Sequence, residues 1–488
     1  MDNLHNNVVR IISQSIEYNW HEPYKNISNK NSVGSGFFIS DNGLILTCCH
    51  VLVNTKKVYV EIPIEGKKKY EANIIFICPD FDVGLIQIKN YKNKSFLELY
   101  NSEDIYNLEF GSSVFAVGFP LAQNNLKITE GLLSGRNDGL LQTSAPINPG
   151  NSGGPLLYKN KVIGINVSKI TNASNIGYAS PISFYHIVKK NKSNNKLILR
   201  PKLGLKYINS NEYFNLLHKT KNEGVIITHI FKNSPISKTN IKKGDLLISI
   251  NNFNIDNYGL TNKIWLKEKM SFNDLINTLK LNQKINIKYF DTSKNKIINE
   301  TFNFNQFKLN VSKKYPIYDD TFTQHEIIFG IIVSELNENL LTSSIKNMIE
   351  NKKEIDETYL NILSIINNKN REEKKLIITH IFPNTELKNL EVLKIYDIIT
   401  KVNNKKVETI NDFRKHIIKP IISNNKKYIK IETKNNKIVV YELNKLLENE
   451  KSNSQIFKYN LSQTFHNLKK TRKNKHKFKK KSKKVIKK

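Results

Sequence analysis

The chain has 488 residues, room for about three domains of ordinary size. Its 39% hydrophobic content is enough for packed cores, while 76 Lys and Arg against 43 Asp and Glu give a formal charge of +33. Three cysteines (Cys48, Cys49, Cys78) have neither metal-binding nor disulfide-framework spacing, no run approaches the ~18 apolar residues of a membrane helix, and the start lacks the apolar core of a signal peptide. Disulfide scaffolds and helical membrane proteins are thereby excluded, no metal or other cofactor is expected, and the composition predicts a soluble intracellular protein of the cytoplasm or the nucleus/nucleolus.

From Val8 to about His186 the sequence is a succession of short apolar runs broken by Gly, Asn and Asp: SGFFIS, GLILTCCHVL, KVYVEIPI, ANIIFI, VGLIQIK, SSVFAVGF, LLQTSA and KVIGINV. Many short strands at close spacing predict an all-β barrel or sandwich, with one helical turn near Pro181–Lys190. A polar linker, NKSNNK, ends this region. An internal repeat follows, in which VIITHIFKN from Val225 returns as LIITHIFPN from Leu376. Each copy continues into a second apolar run, GDLLISINNFNI or YDIITKVNNKKV, and then into a helix signal with an N-cap and an early acid, Ser271–Asp274 and Thr409–Asp412. Two related α+β modules are therefore predicted, the second interrupted by an amphipathic helical insertion at 340–370. Between Lys469 and Lys488 there are thirteen Lys or Arg and no acid, which reads as a solvated, disordered tail, an address, or a polyanion or nucleic-acid grip. The predicted domains are 1–195, 200–312, 313–448 and a basic disordered tail from 449 to 488.

Three residues in the β region carry the groups that acyl transfer needs. His50 ends an apolar strand, Asp82 precedes one, and Ser152 sits in the glycine-rich turn INPGNSGGPLL. A serine hydroxyl needs a base within hydrogen-bond reach and an acid to hold that base in the right tautomer. Each residue alone also fits a structural role: a strand-end histidine, a turn aspartate, a serine in a surface turn. Together, in the order His, Asp, Ser, they match the chymotrypsin-like arrangement and not those of subtilisins or α/β-hydrolases. The turn then acquires a chemical reading: Gly150, Asn151 and Ser152 form the candidate oxyanion hole.

These motifs resemble the HtrA/Deg (DegP-like) family of serine proteases. The matching stretches are GSGFFISDNGLILTCCHVL around His50, DFDVGLIQIK around Asp82, and GLLSGR with LQTSAPINPGNSGGPLL around Ser152. The layout is closest to the plant Deg9-like branch, with two PDZ modules. The resemblance implies a trypsin-like double β-barrel protease domain followed by two α+β PDZ-like domains. It also implies ATP-independent hydrolysis of unfolded or damaged proteins and assembly into a homo-oligomer, a trimer or hexamer. It makes His50 the base, Asp82 its orienter and Ser152 the nucleophile, and places Asn175, Ile176, Gly177, Tyr178, Ala179 and Ser180 along the substrate pocket. Leu203, Gly204 and Leu205 resemble a PDZ carboxylate-binding loop, where C-terminal peptides would bind. Departures from the family pattern are Cys48-Cys49 before the histidine, Ser180 where an apolar residue is usual, and Tyr396-Asp397 where the first module has Gly244-Asp245. Phe329–Ile332 makes a poor carboxylate cradle, so the second module is expected to hold subunits together. A non-catalytic chaperone or scaffold on the same fold is the alternative, and a reactive-thiol role for Cys48 or Cys49 a minor one.

Overall fold

The computed structural model describes residues 4–25, 29–101, 104–167, 176–191, 195–318, 325–350 and 357–470. Their contacts divide into two compact units, the first drawn from 1–17, 28–308 and 315–318, the second from 18–27, 309–314 and 319 onward.

The first unit contains two closed six-stranded barrels. One is built from β1 (Val8–Ile16), β2 (Asn29–Phe38), β3 (Leu44–Thr47), β4 (Thr55–Glu61), β5 (Lys69–Cys78) and β6 (Val83–Ile88), in the order β1-β2-β3-β6-β5-β4. The other comprises β7 (Ser113–Gly118), β8 (Lys127–Asn137), β9 (Leu140–Thr143), β10 (Pro155–Tyr158), β11 (Lys161–Val167) and β12 (Gly177–Pro181), in the order β10-β11-β12-β9-β8-β7. Short β-branched and aromatic runs close on themselves, which removes exposed sheet edges and buries side chains such as Phe37, Ile45, Phe76 and Ile86 in the first barrel and Val117, Leu141 and Ile163 in the second. A helix, Ile182–Lys190, leaves β12 where the sequence places one.

The first repeat module lies in the same unit. Its sheet runs Leu205–Asn209, Val225–Ile230, Leu246–Ile250, Lys284–Asp291, Lys296–Asn303 across space, with Phe272–Thr278 as its helix. The Asp274 N–H donates to Ser271 Oγ at 3.1 Å, the expected cap. This module packs directly on the second barrel. Arg136 of β8 donates to Lys269 O at 2.7 Å and lies over the Trp265 ring at 4.9 Å, while Leu266 N donates to Tyr106 O at 2.8 Å. The barrels and the first module thus share one unit, while 18–27 and 309–312 fall in the other.

The second unit repeats the module with the same backbone bonds. In the first copy Gly244 N donates to Ile227 O at 2.8 Å and Lys242 N to Asp245 Oδ2 at 2.7 Å. In the second, Tyr396 N donates to Ile378 O at 2.7 Å and Lys394 N to Asp397 Oδ2 at 2.7 Å. Tyr396 takes the left-handed conformation of Gly244 (φ +77° against +98°). Its ring packs on His21, whose Nε2 lies 3.0 Å from the tyrosine hydroxyl, and this contact offsets the backbone strain. The insertion forms two helices, Glu338–Glu350 and Glu357–Ser364.

The two copies differ at the edge where a PDZ module takes a peptide strand. Leu205–Asn209 is an edge strand, paired only with Val225–Ile230 among the described residues. Its counterpart Ile331–Glu335 is covered on that side by His325–Ile328, through the pairs Ile328–Ile331 to His325–Ser334.

Two boundaries need correction. A tail beginning at 449 is wrong: Leu443–Ile456 is a helix, residues 463–470 form another, and Glu450, Tyr459, Phe465 and Leu468 are buried. The apolar spacing that anchors this segment sits among lysines and asparagines that mask it. The rest of the tail, 471–488, lies outside the described residues. The boundary at 312/313 is also crossed, since Tyr315–Tyr318 return to the first unit.

The helix at 443–456 places a carboxyl beside the Phe329–Ile332 loop. Glu450, 1% exposed, accepts the Tyr459 hydroxyl on Oε1 at 2.9 Å. Burial pushes its pKa up to about 7, against the pull of Tyr459 and of the Phe329 and Gly330 N–H groups that face it. Those N–H groups close no well-formed hydrogen bond on Oε2. The loop expected to be a poor carboxylate cradle therefore faces a carboxyl of its own chain.

Candidate active site

His50 lies in a single helical turn, Cys49–Leu52, immediately after β3, and Asp82 in the tight connection between β5 and β6. Asp82 adopts φ +53°, a conformation that Asp tolerates better than most residues. Its two oxygens divide their work: Oδ1 accepts the His50 N–H at 2.9 Å, and Oδ2 lies 2.7 Å from His50 Nδ1. A carboxylate only accepts, so Nδ1 carries the proton and Nε2 remains as the basic nitrogen.

Burial works against the His50 cation, but the hydrogen bond and charge of Asp82 outweigh it and raise the pKa above its ordinary 6.5. The base is therefore lost as pH falls through that raised value. The acid limb of kcat/KM should lie above pH 6.5 for the wild type and move down in Asp82→Asn, with a large loss of rate. A limb unchanged by the substitution would show that Asp82 does not set the histidine. The stability linked to the pair runs the other way: it is present below the unfolded histidine value and disappears as pH rises through the folded one.

The serine turn approaches from the second barrel. Gly150 (φ +100°) and Gly153 (φ +90°) both need the left-handed region, and a Cβ on Gly153 would stand 2.1 Å from Ser35 O. The Asn151 N–H donates back to Asn148 O at 3.0 Å, which removes Asn151 from the expected set of oxyanion donors. Of the expected set, Gly150 and Ser152 are left as candidates. Ser35 braces the turn: its N–H donates to Ser152 O at 2.8 Å and its hydroxyl to Gly150 O at 2.7 Å, while it accepts from Phe119 N at 3.0 Å. The sequence reading missed Ser35, although it lies inside the quoted GSGFF motif.

The expected pocket residues divide. Asn175 lies outside the described residues. Ile176 is exposed, and Gly177, Tyr178 and Ala179 pair with β9 on β12. Ser180 is fully buried, and its hydroxyl donates to Phe81 O at 3.0 Å, next to Asp82. It braces the aspartate and does not present its hydroxyl to substrate, a correction to its expected place. Cys48, also fully buried, donates through Sγ to Asn166 O at 3.2 Å. Donor atoms of Cys48, His50 and Asp82 lie within 4.8 Å of one another. Burial and then Asp82 push the Cys48 thiol well up, so it stays protonated, and a thiol in that state is a poor metal ligand and a poor nucleophile.

A histidine held at two points by an aspartate on one six-stranded barrel, beside a glycine-braced serine on the other, defines the trypsin-like class of fold and site. Residues 34–165 match the trypsin-like peptidase domain, and residues 205–270 match the PDZ domain. The chain is similar to the Do-like 14 protein of Arabidopsis thaliana, 28% identical across 51% of this chain and 63% of that protein. It is 30% identical to Do-like 13 of the same plant across 58% of this chain and 60% of the relative, and 33% identical to serine protease HTRA4 of Mus musculus across 47% and 51%. The chain carries a trypsin-like peptidase domain followed by a PDZ domain, and the relatives it matches are named as Do-like and HtrA-type proteases. It spans about half to three fifths of the length of these relatives.

Proposed function

We propose that the chain is an ATP-independent serine endopeptidase that cleaves unfolded or damaged proteins. The observation that carries this reading is the two-point hold of Asp82 on His50. Ser152 Oγ attacks the scissile carbonyl carbon while its proton passes to His50 Nε2. The oxyanion takes the N–H groups of Gly150 and Ser152, and Asp82 stabilises the imidazolium that forms. Collapse of the tetrahedral intermediate expels the amine, which takes the proton from His50. Water then repeats the sequence in reverse and frees the serine. A non-catalytic scaffold would need none of this bracing. Labelling by a fluorophosphonate probe tests the reading: wild-type protein labels at Ser152, and label retained in Ser152→Ala would refute it.

In this reading Leu203, Gly204 and Leu205 receive peptide C-termini, the second module serves assembly into a trimer or hexamer, and the protein works in the cytoplasm or the nucleus/nucleolus. Among the described residues no helix is long and apolar enough to cross a membrane. The basic run acts as an address or polyanion grip. Removing 471–488 should then leave peptide hydrolysis unchanged and alter location or salt-sensitive nucleic-acid binding; if both stay the same, the run has neither role.

A further inference from the structure

The helical turn that carries His50 is short, and a short helix leaves its last carbonyls without partners inside the helix. It closes with Val53 N donating to Cys49 O at 2.9 Å. At its N-terminal side it is fixed by Asp82, which accepts the His50 N–H. The exit is satisfied from far along the chain. The Tyr318 hydroxyl lies 2.7 Å from Leu52 O and 3.0 Å from Thr55 O. Tyr318 is 5% exposed, and burial raises its pKa, so it stays a phenol and a donor. It reaches this place through a four-residue return, Tyr315–Tyr318, closed by Tyr318 N to Tyr315 O at 2.8 Å, with Tyr315 also buried in the core of the first unit.

We propose that Tyr318, contributed by the segment after the first PDZ module, is a positioning residue for the catalytic histidine, holding the exit of its helix while Asp82 holds the entrance. The proposal rests on the endopeptidase reading for its kinetic consequence but not for its geometry. His50 must present Nε2 to the serine while Nδ1 stays on Asp82, and both contacts pivot on one helical turn. With the hydroxyl gone, two buried carbonyls lose the one proton they share, and the exit of the turn keeps the bond from Ile16 N to Asn54 O at 2.9 Å but loses its side-chain anchor.

The test is Tyr318→Phe in the full chain, which keeps the ring and removes the donor. With active sites counted by fluorophosphonate titration, kcat on a fluorogenic peptide should fall about ten- to a hundredfold with KM unchanged, the scale expected of a small misplacement. The acid limb of kcat/KM should move toward the ordinary histidine value as the bond to Asp82 weakens. Independently of turnover, the His50 imidazole can be titrated by NMR in Ser152→Ala and in Ser152→Ala/Tyr318→Phe, with the second showing the lower pKa. Equal kcat per active site and an equal His50 titration would overturn the proposal. Loss of folding in Tyr318→Phe would also overturn it, because the hydroxyl would then hold the domain and not the histidine. A wild type that neither labels nor turns over would sink the endopeptidase reading, and the titration would still decide the role of Tyr318.

Discussion

Ser152→Ala is expected to end casein hydrolysis, lowering kcat by roughly five to six orders of magnitude while the melting temperature stays put. Oγ is the only atom removed, so folding should not suffer. The turn is held by other groups, namely the Ser35 contacts to Ser152 O and Gly150 O and the Gly153 N–H to Asn166 O at 2.9 Å. His50→Ala should lose a similar factor, and the double variant little more, because nucleophile and base act as one unit. Casein cleavage by Ser152→Ala at near wild-type rate would remove the nucleophile assignment. Additive losses in the double variant would show that the two residues work separately.

Gly204→Val should weaken binding of C-terminal peptides at least tenfold, about 1.4 kcal/mol, and blunt any proteolysis that such peptides stimulate. Gly204 has φ +80°, and a Cβ there would stand 2.1 Å from Ser234 Cβ. Its carbonyl accepts the Phe231 N–H at 2.9 Å, so a displaced loop also disturbs the start of the edge strand that a peptide would extend. Truncation after Tyr318, which keeps the histidine strap, should instead change the assembly size seen by light scattering. Peptide binding that survives in Gly204→Val but vanishes on truncation would exchange the roles of the two modules.

The candidate triad was legible because each member sits in a contiguous motif whose chemistry restricts the residue types: a strand-end histidine, an aspartate before a strand, a serine among glycines. Paired modules were legible because the VIITHIF repeat spells the same strand twice. The supports were not. Ser35 contacts a residue 115 positions later, and Tyr318 reaches back 266 positions to Leu52. A lone hydroxyl at such a separation leaves no periodicity or spacing to read. Asn151 and Ser180 were misplaced for a related reason, since a motif names the neighbours of a site but not which way each backbone N–H or side chain turns. The end of the second module was set too early because lysines and asparagines are frequent after 448, and composition hid the buried Glu450, Tyr459, Phe465 and Leu468.

The carboxyl of Glu450 before the Phe329–Gly330 loop has a consequence for how the second module must be assayed. A group of the same chain competes without any diffusion step. A free peptide added at micromolar concentration meets that incumbent, so a silent titration would report on the tether and not on the loop's intrinsic capacity. The competition also has a pH sense. With its pKa raised from 4.5 to about 7, Glu450 costs little to bury in acid. The cost grows as pH rises from about 4.5 to about 7 and is level above that, so a buffer at or above neutrality is the condition in which the incumbent is weakest.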